Sequence, residues 1–69
     1  GNPNSVSDAG VGVLAARAAV LGAGLNVKIN ASGLKDKEKA EHLVAEANKL
    51  IAQANEAEAE IMKIVEAKL

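Results

Sequence analysis

The 69-residue sequence predicts an all-α fold: an antiparallel helical hairpin that is part of a larger or oligomeric helix bundle. Three observations carry that prediction. Residues 9–29 form a proline-free apolar stretch too long for an ordinary strand, and Val11, Leu14, Val20, Leu25 and Val27 within it point in widely different directions around a helix. Residues 37–67 contain neither glycine nor proline, and Ala40, Leu43, Ala47, Leu50, Ala54, Ala57, Ile61 and Ile64 follow alternating three- and four-residue spacing. Between the two lies Asn30-Ala31-Ser32-Gly33-Leu34, rich in turn formers.

The chain opens on Gly1-Asn2-Pro3-Asn4, which reads as a turn because a residue before proline is biased away from helical dihedrals. Ser5-Val6-Ser7-Asp8 fits a capping box, with Ser5 as N-cap and Asp8 three residues on; Ser7 is an alternative N-cap. The first helix is expected over about residues 6–29. Gly10, Gly12, Gly22 and Gly24 each cost about 1 kcal/mol against alanine in an exposed helix interior, so their number calls for close helix crossing. The alternative is a break at Gly22–Gly24, with Leu25-Asn26-Val27-Lys28-Ile29-Asn30 extended.

The connector is expected over residues 30–35, with Gly33 able to take a left-handed conformation and Leu34 returning to the core. Asp36 is the expected N-cap of the second helix, at about residues 36–67, with Glu38 in its first turn. Val44, Ile51 and Val65 widen its apolar stripe, as a bundle helix requires. Such a helix is about 45 Å long.

Composition limits both stability and function. A chain this short builds only a small core, and the sequence has no cysteine to staple it and no aromatic residue to anchor it. A first helix covered on one side only implies that the chain dimerises or belongs to a larger bundle. The net charge of -1 argues against nucleic acid as a partner. His42 is the only histidine, which excludes a metal site built on several imidazoles of one chain, and no metal ligand set is assigned. The N-terminus lacks a basic, apolar leader pattern. Arg17 interrupts the candidate membrane span, and the uncharged run 18–27 is shorter than the roughly 20 residues needed, so no membrane partner is expected. The expected setting is cytoplasmic.

The run Gly1-Asn2-Pro3-Asn4-Ser5-Val6-Ser7-Asp8-Ala9-Gly10-Val11, followed by Asn26-Val27-Lys28-Ile29-Asn30 and by Asp36 opening a long helix, resembles the formiminotetrahydrofolate cyclodeaminase / methenyltetrahydrofolate cyclohydrolase family. The resemblance covers essentially the whole chain and only the C-terminal part of a cyclodeaminase-like domain. It implies an all-helical, oligomeric enzyme of one-carbon metabolism with a tetrahydrofolate derivative as substrate and no tightly bound cofactor. The reaction implied is conversion of 5-formiminotetrahydrofolate to 5,10-methenyltetrahydrofolate and ammonia, or interconversion of methenyl- and formyltetrahydrofolate. The partners implied are the folate, and either further copies of the chain or the preceding helices of the same domain. These 69 residues alone are then expected to be inactive.

Asp8 is the candidate catalytic residue, since ring closure and loss of ammonia both need proton transfer and a carboxylate can serve either. Its structural reading is a carboxylate at the positive end of a helix. Asn2, Ser5, Ser7, Arg17 and Asn26 are candidate substrate contacts. Ser5 and Ser7 are equally N-caps, and Asn2 and Asn26 equally turn or connector residues. Arg17 is a lone charge in an apolar helix with no obvious partner, suited to folate carboxylates or to a salt bridge outside the chain. His42 reads as a surface residue. No nucleophile elbow or phosphate loop is present. The competing reading is a non-catalytic helical oligomerisation module, motivated by the all-round apolar first helix and the heptad pattern of the second.

Overall fold

The structure, a computed structural model, describes residues 3–69. It consists of two long helices, α1 (Pro3–Ser32) and α2 (Lys37–Lys68), folded back on each other as an antiparallel hairpin 52 Å long. This is the all-α hairpin that the apolar patterning predicts.

The chain is already helical at Pro3, so α1 extends beyond the expected stretch at both ends. Proline suits the first helical turn, where its missing N–H is not needed and its fixed φ is already helical. Ser5, Ser7 and Asp8 consequently lie inside the helix, and the expected capping box does not form. Helix runs unbroken through Gly22 and Gly24, which removes the alternative of an extended 25–30 segment. At the other end the Gly33 N–H donates to the Asn30 carbonyl at 3.2 Å and the Leu34 N–H to the Ala31 carbonyl at 3.1 Å. These tight bonds turn the chain with no left-handed residue among those described, contrary to the role expected of Gly33. Leu34 is half-buried. Asp36 caps α2 as expected, accepting from the Lys39 N–H at 3.0 Å.

The two helices meet along Val6, Gly10, Val13, Arg17, Val20, Gly24 and Ala31 of α1 and Ala40, Val44, Ala47, Ile51, Ala54, Glu58, Met62 and Val65 of α2. On α2 this is a rotated version of the expected seam. Ala40, Ala47 and Ala54 face α1, but Leu43, Leu50, Ala57, Ile61 and Ile64 stand in the open, and Val44, Ile51 and Val65, expected at the stripe's edge, face the partner helix. The cause lies on α1. A Cβ placed on Gly24 would stand 2.7 Å from Ile51 Cδ1, and one on Gly10 would stand 3.4 Å from Val65 Cγ1. Gly24 is a notch that admits Ile51 at close range, and Val65 packs on Gly10, so the branched edge of the α2 stripe turns inward.

Close crossing therefore explains Gly24, whereas at Gly10 a Cβ would make ordinary contact with Val65 and Met62. The crossing does not explain Gly12 and Gly22, whose missing Cβ atoms would meet nothing within 4 Å. In the 69-residue chain Gly22→Ala is expected to stabilise by about 1 kcal/mol, the ordinary helix-propensity gain. Gly24→Ala must displace Ile51, at a cost of about 1–3 kcal/mol that cancels or exceeds that gain. Urea midpoints of the two variants check this; equal upward shifts would rule out the notch.

The hairpin leaves much apolar surface uncovered. Only Ala31, Ala47 and Val65 among the described hydrophobic side chains are buried. The accessible surface is 5049 Å², whereas a compact protein of this mass exposes about 4,000 Å². Val11, Leu14, Leu25 and Ile29 form an open stripe on α1, and Leu43, Leu50, Ile61 and Ile64 form another on α2. By length and composition, α1 from Asn4 to Ser32 is apolar enough to cross a membrane, which corrects the expectation that Arg17 breaks every candidate span. An interior helix of a soluble bundle meets the same criterion.

Candidate functional site

The predicted site residues do not converge within the hairpin. Asn2 lies outside the described residues. Ser5, Ser7, Asp8 and Asn26 are exposed on α1. Helical geometry places them at different azimuths: Asp8 and Arg17 are nine residues apart and stand on opposite sides of the helix. Asp8 and Asn26 are eighteen residues apart, on the same side but separated by about 27 Å. The shared outer side between them carries only small residues, Gly12, Ala15, Ala19 and Gly22, and it faces away from α2.

Asp8 loses its structural explanation. Because α1 is helical from Pro3, the carboxylate falls beyond the first turn, and no acidic residue stands in that turn. The influence of a helix terminus fades within one turn. Ser5 is within the first turn and Ser7 beyond it, so neither is the N-cap.

Arg17 gains partners that the sequence reading did not find. Its Nε donates to Asn55 Oδ1 at 2.6 Å and lies 2.7 Å from Glu58 Oε2. The Arg17 side chain is 38% exposed and that of Glu58 is 23% exposed. The signal was present in the sequence as spacing: Glu58 interrupts the run Ala47, Ala54, Val65 at a seam position, as Arg17 interrupts the opposite one. An antiparallel hairpin brings such interruptions together.

At the connector end, Lys28, Ser32, Lys37, Glu41 and Asn48 border a shallow open groove beside Val44. Lys37 Nζ is engaged there by the Leu34 carbonyl at 3.1 Å, and Ser32 Oγ by the Ile29 carbonyl at 2.6 Å. Farther along, an apolar groove between the helices is lined by Val20, Ala23, Val27, Leu50 and Ala54. His42 is exposed. Among the described residues no three His, Cys, Asp or Glu side chains stand together as a metal site.

The family profile of formiminotransferase-cyclodeaminase matches residues 1–49, which include all of α1, the connector and the first part of α2. The chain belongs to this family. It is also 44% identical, over all 69 of its residues, to a methenyltetrahydrofolate cyclohydrolase of Methylorubrum extorquens. The chain spans 33% of that relative's length. No solved structure matches. Membership in the formiminotransferase-cyclodeaminase family ties the chain to folate one-carbon enzymes. Within the family match, Ser5, Ser7, Asp8, Arg17 and Asn26 all lie on α1, whereas Asn55 and Glu58 lie beyond it.

Proposed function

We propose that this hairpin is a C-terminal part of a folate-dependent one-carbon enzyme, which acts on 5-formiminotetrahydrofolate or on 5,10-methenyltetrahydrofolate. The observation that carries the reading is membership in the formiminotransferase-cyclodeaminase family together with identity to a cyclohydrolase along the whole chain. The geometry supports a partial rather than a complete site: the candidate residues are scattered around and along α1, with Arg17 turned to α2, and both helices keep apolar stripes uncovered. Further helices of the same polypeptide, or of another copy, are needed to close a pocket over Asp8.

The chemistry suits a single carboxylate. In cyclodeamination, the folate N10 attacks the carbon of the protonated formimino group, N10 loses a proton, and the departing amino nitrogen gains one and leaves as ammonia, with the methenyl cation as the other product. In cyclohydrolysis, water adds to the methenyl carbon, and a ring C–N bond opens to leave a formyl group. Asp8 serves as the proton carrier in either case. Ser5, Ser7 and Asn26 supply neutral hydrogen-bonding groups, and Asn2 and Arg17 are further candidate contacts. No tightly bound cofactor is needed for these steps. The setting proposed is the cytoplasm, and the 69 residues alone are proposed to be inactive.

The test is made on the longest polypeptide that carries this sequence. Ultraviolet-monitored turnover of both folates, with equilibrium binding of tetrahydrofolate, is expected to show conversion of at least one substrate. If there is neither conversion nor binding, the reading fails. A second reading, a helical oligomerisation module without catalysis, is favoured by the uncovered stripes on α1 and α2. It predicts assembly without folate binding in the same experiment.

A further inference from the structure

Beyond the tight connector, three contacts bear on the register of the hairpin. Gly10 lies against Val65, Arg17 against Glu58 and Gly24 against Ile51. They step forward by seven residues on α1 and back by seven on α2, which is an antiparallel heptad repeat. The outer two are apolar contacts. A slip of one heptad would set Arg17 against Val65 or Ile51 and Glu58 against Gly10 or Gly24, leaving two half-covered charges without partners. The apolar contacts penalise such a slip weakly, because the α1 seam has glycines at both flanking positions. The polar contact penalises it more, although Arg17 is 38% exposed and solvent screens the pair. Asn55 adds a second acceptor to the same Arg17 Nε, and so also restrains rotation of α1.

We propose that Glu58 and Asn55 are positioning residues for the candidate site: acting through Arg17, they fix where α1 stands along α2, and so where Ser5, Ser7 and Asp8 stand. Both residues lie beyond the stretch that the family profile matches, residues 1–49, and the proposal rests on the folate reading only for its catalytic consequence. It also gives Arg17 a role directed at α2 rather than at substrate.

The register is tested without any activity assay. These 69 residues have no native cysteine, so Gly10→Cys with Val65→Cys introduces one new pair into them, and the register effect is read by comparing this background with and without a change at Glu58. In the longest polypeptide carrying this sequence, this pair is expected to cross-link readily. Adding Glu58→Ala is expected to slow cross-linking about tenfold, and adding Glu58→Gln, which keeps an oxygen acceptor, only about twofold, in keeping with the register-fixing role of seam polar groups. Unchanged cross-linking in Glu58→Ala overturns the proposal. Where the native polypeptide turns over folate, Arg17→Ala and Glu58→Ala should each lower kcat about tenfold with KM within about twofold, and the double variant should be no worse than the single ones. A rise in KM for Arg17→Ala alone would make Arg17 a substrate contact and overturn the positioning role. Absence of turnover in the native polypeptide would count against the folate reading, while the cross-linking result still decides the register.

Discussion

Asp8→Asn, made in the longest polypeptide that carries this sequence, should lower kcat for folate conversion by about 10²–10⁴-fold, the usual range for removing a positioned acid or base. Binding should change little, because asparagine keeps the size and most of the hydrogen-bonding capacity of the side chain. Stability should change little as well. In the hairpin Asp8 is exposed and beyond the first turn of α1, so neither burial between these two helices nor the helix terminus makes the carboxylate necessary to their fold. That separation gives the experiment its force. Had Asp8 been the capping residue that the Ser5-to-Asp8 pattern indicates, a loss of activity could have come from a frayed helix. Equal kcat values for the native and Asp8→Asn proteins would remove Asp8 from the chemistry and leave the family's proton transfers to residues outside this hairpin.

The second large effect contrasts two aspartate substitutions. Ile51 sits in the Gly24 notch in the middle of the hairpin, between the two helices. Ile51→Asp replaces that contact with a carboxylate among apolar neighbours, at a cost of about 3 kcal/mol or more. With so few buried side chains, the 69-residue chain has little stability to lose, and this variant should be unfolded by circular dichroism at room temperature. Leu25→Asp falls on the open stripe of α1, where Leu25 is 59% exposed. In the monomeric 69-residue hairpin its effect should stay within about 0.5 kcal/mol, as for ordinary surface positions. In a longer polypeptide whose further helices cover the stripe, the same substitution should cost about 2–5 kcal/mol. Unfolding midpoints of Leu25→Asp in both contexts check this. The same small effect in both would show that the stripe faces water in the complete protein.

The parts of this fold legible in the sequence were those determined by local chemistry. Asp36 caps α2 because a short acidic side chain reaches the Lys39 N–H, and the absence of glycine and proline lets the helix run to Lys68. The parts that were not legible depend on the partner surface. An apolar stripe wider than one heptad seam can pack by either edge, and on α2 the choice falls to the edge with Ile51 and Val65 because Gly24 and Gly10 stand opposite. The start of α1 was misjudged because Ser5 and Asp8 fit a local capping pattern while Pro3 favours an earlier start. Arg17 looked solitary because its partners, Asn55 and Glu58, lie 38 or more residues away in the chain. The candidate site was legible as a set of residue types on one helix. The hairpin does not assemble it, because nine- and eighteen-residue separations scatter those residues around and along α1.

The central claim is that the hairpin is an incomplete body whose stability and chemistry need further helices. Sedimentation equilibrium of the 69-residue chain over a wide concentration range, paired with calorimetric unfolding of the same samples, tests it most directly. The expected result is concentration-dependent association, with weak or non-cooperative unfolding at the lowest concentrations. A chain that stays monomeric throughout and unfolds in one sharp, cooperative transition would contradict it.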